Sequence, residues 1–212
     1  MPTYLDLERW NRRAHFELFR GYDHPFFNLC APLEVTALRA ATGGESGRSF
    51  FLAALWLSLV TANEIEPFRY RLRGERVLVH DVLHGSGTIL RPDGTFGFAY
   101  FEFDPGFGRF HERAAREVER VRASRAVEPA AGRDDLIHYS VIPRVAFTSF
   151  AHARHLARGE SVPKIVFGKV YREGAGERIP VSVELHHALA DGLDAGRFYE
   201  RLAARFAAPD LG

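Results

Sequence analysis

Cysteine is all but missing from this sequence. Cys30 stands alone, so the chain can close no internal disulfide and build no multi-cysteine metal centre. Lysine is nearly as scarce: only Lys164 and Lys169 occur, and the remaining basic residues are all arginine. Charge of one sign is lacking too. The 28 Lys+Arg and 27 Asp+Glu leave a formal charge of +1, which makes no bulk electrostatic case for nucleic acid. The longest apolar run, around Phe50 to Ala62, is too short to span a bilayer and includes Ser58 and Thr61, so no membrane partner is expected. No basic start with an apolar stretch and cleavage site follows Met1, and a cytoplasmic protein is the expectation. A phosphate-cradling glycine loop is absent as well; Gly43-Gly44 reads as a plain turn.

What is present is enough apolar material for one sizeable core, 46% of 212 residues, read as a single domain over 1–212. Trp10, His15, Phe16 and Phe19 recur at roughly helical spacing behind Asp6, a candidate N-cap. His24-Pro25 breaks that helix, and Phe26 to Leu33 reads as extended. A short helix is expected over Glu34 to Ala41, then a buried one over Ser49 to Glu64, apolar on nearly every face. Strands follow over Phe68 to Arg73, Arg76 to Val82 and Gly87 to Leu90. Thr95 to Phe103, with five aromatics, reads as a core strand. A charged helix over His111 to Arg125 and a loop over Pro129 to Asp135 come next. Three more strands are expected over Leu136 to Ile142, Lys164 to Tyr171 and Ile179 to Leu185, and Gly192 to Ala207 closes as an amphipathic helix. This order argues for an α/β, α+β two-layer sandwich: a mixed sheet with helices on one face.

The most informative stretch is Val181 to Gly192. It runs from an alternating strand through His186-His187-Ala188-Leu189-Ala190-Asp191-Gly192 into the last helix. Histidine titrates nearest neutral pH and suits a general base on a rigid strand end. Asp191, four residues on, can hold the turn through a basic partner. Taken alone, a histidine pair at a strand end is more often structural, or a chance feature of one sequence. Metal binding is not expected: neighbouring strand residues face opposite ways, and no third ligand has suitable local spacing.

The His186–Gly192 motif, followed by Ala195-Gly196-Arg197-Phe198, resembles the signature of the chloramphenicol acetyltransferase family. Its shorter His-His-x-x-x-Asp-Gly core is shared with condensation domains and other CoA-dependent acyltransferases. Trp10-Asn11-Arg12-Arg13-Ala14-His15-Phe16-Glu17 and the Ser140 to Phe150 segment also resemble that family's motifs, in order, over nearly the whole chain. The resemblance implies a homotrimer with acetyl-CoA as co-substrate, no bound cofactor, and chloramphenicol or a related small molecule as acceptor, hence a place in antibiotic resistance. It further implies His187 as general base, Ser140 as hydrogen-bond donor to the tetrahedral oxyanion, and an Asp191–Arg12 ion pair supporting the catalytic loop. Phe19, Phe27, Phe96, Phe98 and Val166 fall at acceptor-pocket positions, Arg144 and Lys169 on the CoA side.

Several residues depart from that pattern. Arg144 stands where tryptophan is usual, Val166 where a threonine is, Glu184 where a glutamine is, Phe19 where a tyrosine is, and Phe98 where a small residue is. A Glu184 carboxylate close to His187 would raise the imidazole pKa. These departures put the acceptor in question more than the reaction. Two other readings stand beside the first: an acyltransferase working on another hydroxyl or amine, or drawing its acyl group from a carrier protein, and a trimeric ligand-binding protein with a degraded pocket.

Overall fold

The computed structural model describes residues 2–127, 132–154 and 159–212, so the loop expected over 129–135 lies partly outside the described residues. The first strand, β1 (Thr3–Tyr4), precedes helix α1 (Arg13–Phe19). Asp6 does not cap that helix. Its carboxylate accepts from the Glu8 and Arg9 amides and closes a turn upstream, and Arg12 takes the N-cap position. After His24-Pro25 come β2 (Phe26–Glu34), α2 (Thr36–Thr42) and α3 (Phe50–Asn63). Ser49 caps α3 by accepting from the Leu52 amide. The helix is buried around most of its circumference, as a sequence apolar on nearly every face requires.

A turn of 3-10 helix over Glu66–Arg69 replaces the start of the strand expected from Phe68. β3 (Tyr70–Arg73) and β4 (Arg76–Val79) then pair with β1 in a small antiparallel sheet of order β1-β4-β3. Phe16 of α1 packs on that sheet with Tyr70, Leu72, Val77 and Val79, forming a second, smaller core that the sequence pattern did not separate from the first. Arg71 fastens the two sheets. Fully buried, its guanidinium donates to the carbonyls of Phe68, Tyr70, Asp134 and Leu136.

The main sheet is assembled from β2, β5 (His84–Leu90), β6 (Phe96–Phe101), β7 (Leu136–Val141), β8 (Lys164–Phe167), β9 (Tyr171–Glu173) and β10 (Gly176–His186). Its order is β2-β10-β8-β7-β5-β6, with β9 paired to β10. The β5–β7 and β7–β8 pairs are parallel and the others antiparallel, so the sheet is mixed as expected. The strand expected over Lys164 to Tyr171 divides into β8 and β9. β6, expected as a core strand, contributes Ala99 and Phe101 to the core but lies at the sheet edge, with Phe96 exposed and Phe98 half-buried. Helix α4 (Phe107–Ala123) starts four residues earlier than expected, and α5 (Gly192–Ala207) has the expected bounds.

Strand alternation divides the sheet cleanly. Ile137, Tyr139, Ile165, Phe167, Val181, Val183 and Leu185 join the core with α2–α5. Gly85 lets α3 come close, since a Cβ there would sit 3.3 Å from the Leu59 side chain. The opposite face carries the alternate residues: His138 and Ser140 on β7, Lys164 and Val166 on β8, Ser182, Glu184 and His186 on β10. A half-buried polar face therefore lies across the sheet from the helices, and the functional candidates cluster there and at its β10 end.

Candidate active site

β10 delivers the histidine pair. Its register against β2 sets Leu185 opposite Phe27 and His186 opposite Phe26, and the rings follow that parity. His186 meets Phe26 edge-on at 5.0 Å, whereas His187 lies 4.9 Å from Phe27. The two imidazoles thus leave the strand on opposite sides. Phe19 of α1 stacks on His187 almost parallel, with centroids 3.9 Å apart and planes at 3°. The ring is half-buried against these two aromatics, and among the described residues its buried Nδ1 has no partner, which leaves Nε2 to meet a substrate. The His187 amide donates to the Pro25 carbonyl at 2.7 Å, which fixes the backbone where the strand ends.

The turn after it is held from below and from the side. Ala188 and Leu189 pack in the smaller core and Ala190 in the larger one, so the turn seals the seam between them. Asp191 caps α5: its Oδ1 accepts from the Leu193 amide at 2.9 Å, and Asp194 closes a capping box by accepting from the Asp191 amide at 3.1 Å. The other oxygen, Oδ2, accepts from Arg12 Nη1, tying α1 to α5. Burial would raise the Asp191 carboxyl pKa, but the Leu193 amide and Arg12 outweigh it and hold the group below the ordinary range. The expected pair is therefore in place.

Ser140 stands elsewhere on the chain, half-buried at the junction of two cavities. The smaller, about 350 Å³, is lined among others by Ser86, Phe98, Tyr100, His138, His152 and Lys164. The larger, about 940 Å³, is more apolar and takes in Phe51, Leu90, Phe96, Val118, Arg122 and Arg144. Thr88 is shared with Ser140 by both. The candidates Phe98 and Phe96 thus fall on different sides, one in each cavity, their rings edge to face at 5.8 Å. Arg144 is exposed at the larger cavity. Lys169 is exposed and lines neither; its amide donates to the Val145 carbonyl. Val166, expected in the acceptor pocket, is fully buried between Ser140 and Ser182 and lines neither cavity. His187, Phe19 and Phe27 line neither of the two.

Glu184 does not approach His187. Its parity puts it on the polar face, where one oxygen accepts from Arg154 Nε and the other is 3.5 Å from His152 Nδ1. Burial would raise its pKa, yet those two partners outweigh burial and hold it at about 2. Burial pulls His186 down to about 4, helped by the charges of Arg154 and His187, so this imidazole is neutral at physiological pH. His138 is likewise held at about 4, by burial first and then by Lys164 and Arg71; its Nδ1 shares a 2.6 Å hydrogen bond with Ser86. The motif reading passed over His138, His152, Arg154 and Lys164. Alternation alone would have put His138 on the face of Ser140 and Lys164 on that of Val166.

An α/β sandwich whose sheet ends in a clamped His-His-x-x-x-Asp-Gly turn defines a CoA-dependent acyltransferase, and the comparisons narrow the class. The sequence model of the family "chloramphenicol acetyltransferase" matches residues 2–203. The chain is 30% identical to the chloramphenicol acetyltransferase of Streptomyces acrimycini over 98% of this chain and 96% of that one. A solved chloramphenicol acetyltransferase superposes with a TM-score of 0.87 at 27% identity, covering 96% of this chain and 99% of its own. The dihydrolipoamide acetyltransferase of Azotobacter vinelandii shares the fold at 17% identity and a TM-score of 0.64, covering 92% and 86%. The chain belongs to the chloramphenicol acetyltransferase family.

Proposed function

We propose that this chain transfers the acetyl group of acetyl-CoA directly to a hydroxyl of chloramphenicol or a related small molecule. His187 Nε2 takes the hydroxyl proton as the oxygen attacks the thioester carbonyl. The carbon–oxygen bond forms and the carbonyl electrons move onto its oxygen. Ser140 Oγ donates a hydrogen bond to that oxyanion, worth about 3 kcal/mol when well aimed. Collapse breaks the carbon–sulfur bond, and the imidazolium returns its proton to the leaving CoA thiolate. No acyl-enzyme forms, so Cys30 has no part in it. The observation that carries this reading is Ser140 at the meeting point of two cavities: one walled by polar groups and Phe98, suited to the acceptor, the other larger and more apolar with Arg144 beside it, suited to the pantetheine arm.

That Ser140 lines both cavities while His187 lines neither supports a site shared between subunits, with the clamped base of one copy facing the polar sheet face of the next. The assembly we propose is a homotrimer working in the cytoplasm. The test is release of CoA thiol from acetyl-CoA by the purified protein, with and without chloramphenicol. Chloramphenicol-dependent release is the expected result. Absence of release with chloramphenicol, but release with another alcohol or amine from a panel, would retain the reaction and replace the acceptor; no release with any acceptor would overturn the reading.

A further inference from the structure

The smaller cavity has a floor that a neutral aromatic alcohol does not explain. Strand register sets Glu184, Lys164, His138 and Ser86 in one row across β10, β8, β7 and β5, two residues along from the row that holds Ser140. At about 3.3 Å per strand residue, the rows are about 7 Å apart, within the span of one small molecule. Lys164, one of only two lysines in the chain, is 9% exposed yet lines this cavity. Among the described residues its ammonium has two contacts, the Ala153 carbonyl at 3.1 Å and Glu160 Oε1 at 3.5 Å, and an ammonium has three protons to place. Burying a cation without full compensation is expensive, and Lys164 is not packed away from the cavity but set in its wall.

The other charges around it sharpen the point. No carboxylate lines the cavity among the described residues. Glu184 is engaged by Arg154 and His152, and Glu160 Oε1 by Arg154 as well as by Lys164. Both lie outside the lining. Arg133 reaches the rim, but Asp135 takes its Nε and Nη2 at 3.0 Å each, and Glu102 takes Nη1. His138 has Nδ1 committed to Ser86 and keeps Nε2 as its remaining polar atom. The cavity therefore presents the buried Lys164 cation, the imidazoles of His138 and His152, the already paired Arg133, no carboxylate among the described residues, and an aromatic wall of Phe98 and Tyr100.

We propose that Lys164 makes this pocket select an acceptor bearing a carboxylate or similar anionic group besides the hydroxyl that is acetylated. The hydroxyl lies at Ser140, the anionic group against the Lys164 ammonium, and the apolar body against Phe98. This assignment rests on the acetyl-transfer reading for the chemistry but not for the binding, and the two are tested apart. The probes are 4-(hydroxymethyl)benzoate and its methyl ester, matched except for charge. By titration calorimetry, the acid is expected to bind the native oligomer about ten- to a hundredfold more tightly than the ester, the equivalent of one charge-assisted hydrogen bond. Lys164→Met is expected to abolish that difference, and Lys164→Gln, polar but uncharged, to do the same if charge is the cause.

Equal binding of acid and ester by the wild type, or a preference that survives in both variants, overturns the proposal whatever the turnover. If Lys164→Met fails to fold, Lys164→Gln decides alone, and a preference for the acid kept by folded Lys164→Gln counts against it. Thiol release from acetyl-CoA with each probe then reports on the reaction. Acid-selective binding without release supports the pocket and sinks the acetyl-transfer reading for these acceptors, whereas release that is indifferent to charge does the reverse.

Discussion

Two adjacent histidines part company at the end of β10, and their surroundings set what each can do. His187 is stacked on Phe19 and lies against a tilted Phe27, with Nδ1 buried. His186 is buried on the other face, its Nδ1 accepting from the Ala188 amide at 3.2 Å. Replacing His187 with alanine should lower chloramphenicol-dependent thiol release by about two to four orders of magnitude, the worth of a positioned base, with the circular dichroism spectrum retained. His186→Ala should instead weaken the fold, lowering the urea midpoint by more than it lowers turnover. Near-wild-type release in His187→Ala would remove it as the base. That the two rings leave the strand on opposite sides was legible from parity, because a strand alternates. The fate of Glu184 was not: nothing near it in sequence announces Arg154, thirty residues upstream, as its partner. Val166 was misplaced for a similar reason. Its strand and face were readable, but whether a face opens on a cavity depends on what crosses above it.

At the scale of elements, the signals that hydrophobic pattern carries were the ones that held. α5 has its expected bounds because Asp191-Gly192 starts it with a cap and its apolar stripe runs unbroken to Phe206. β6, expected as a core strand, carries Ala99 and Phe101 into the core yet lies at the sheet edge, since aromatic content reports what packs beside a strand, not whether another strand pairs on its far side. The smaller sheet escaped notice because β1 is two residues long and pairs with β4 some seventy positions away. The same joint, α1 to α5 through Arg12 and Asp191, is where a mutation should tell. Asp191→Ala removes an N-cap worth about 1 kcal/mol and frees Arg12. The ion pair adds less, because the Asp191 side chain is 35% exposed. Asp191→Asn keeps a capping oxygen and loses the charge, so chemical denaturation should rank stability as wild type, then Asn, then Ala. Thiol release should fall in both variants, since the turn bearing His187 loses its tie to α1. An Asn variant no more stable than Ala would show that the charge, not the cap, does the holding.

Over the whole molecule, the polar face of the sheet predicts both a pH response and an assembly. His138 and His186 are held at about 4 against an ordinary 6.5. Between those values the unfolded chain binds protons that the folded chain refuses, so stability is full above about pH 6.5 and is lost as pH falls toward 4. Glu184, held at about 2 against 4.5, adds a further loss below pH 4.5. Melting temperature should therefore decline from pH 6.5 downward, and His138→Asn should flatten the upper part of that decline. The assembly can be tested through the active site itself. If the base and the oxyanion donor come from different subunits, His187→Ala and Ser140→Ala protomers refolded together each supply what the other lacks. With random mixing, half of the sites receive an intact His187 and half of those an intact Ser140, so about a quarter of the wild-type rate should return from two nearly inactive parents. A site contained within one chain would return nothing, because every protomer in the mixture would still lack one of the two groups. Recovery near a quarter, with a sedimentation mass of three chains, would fix both the shared site and the trimer.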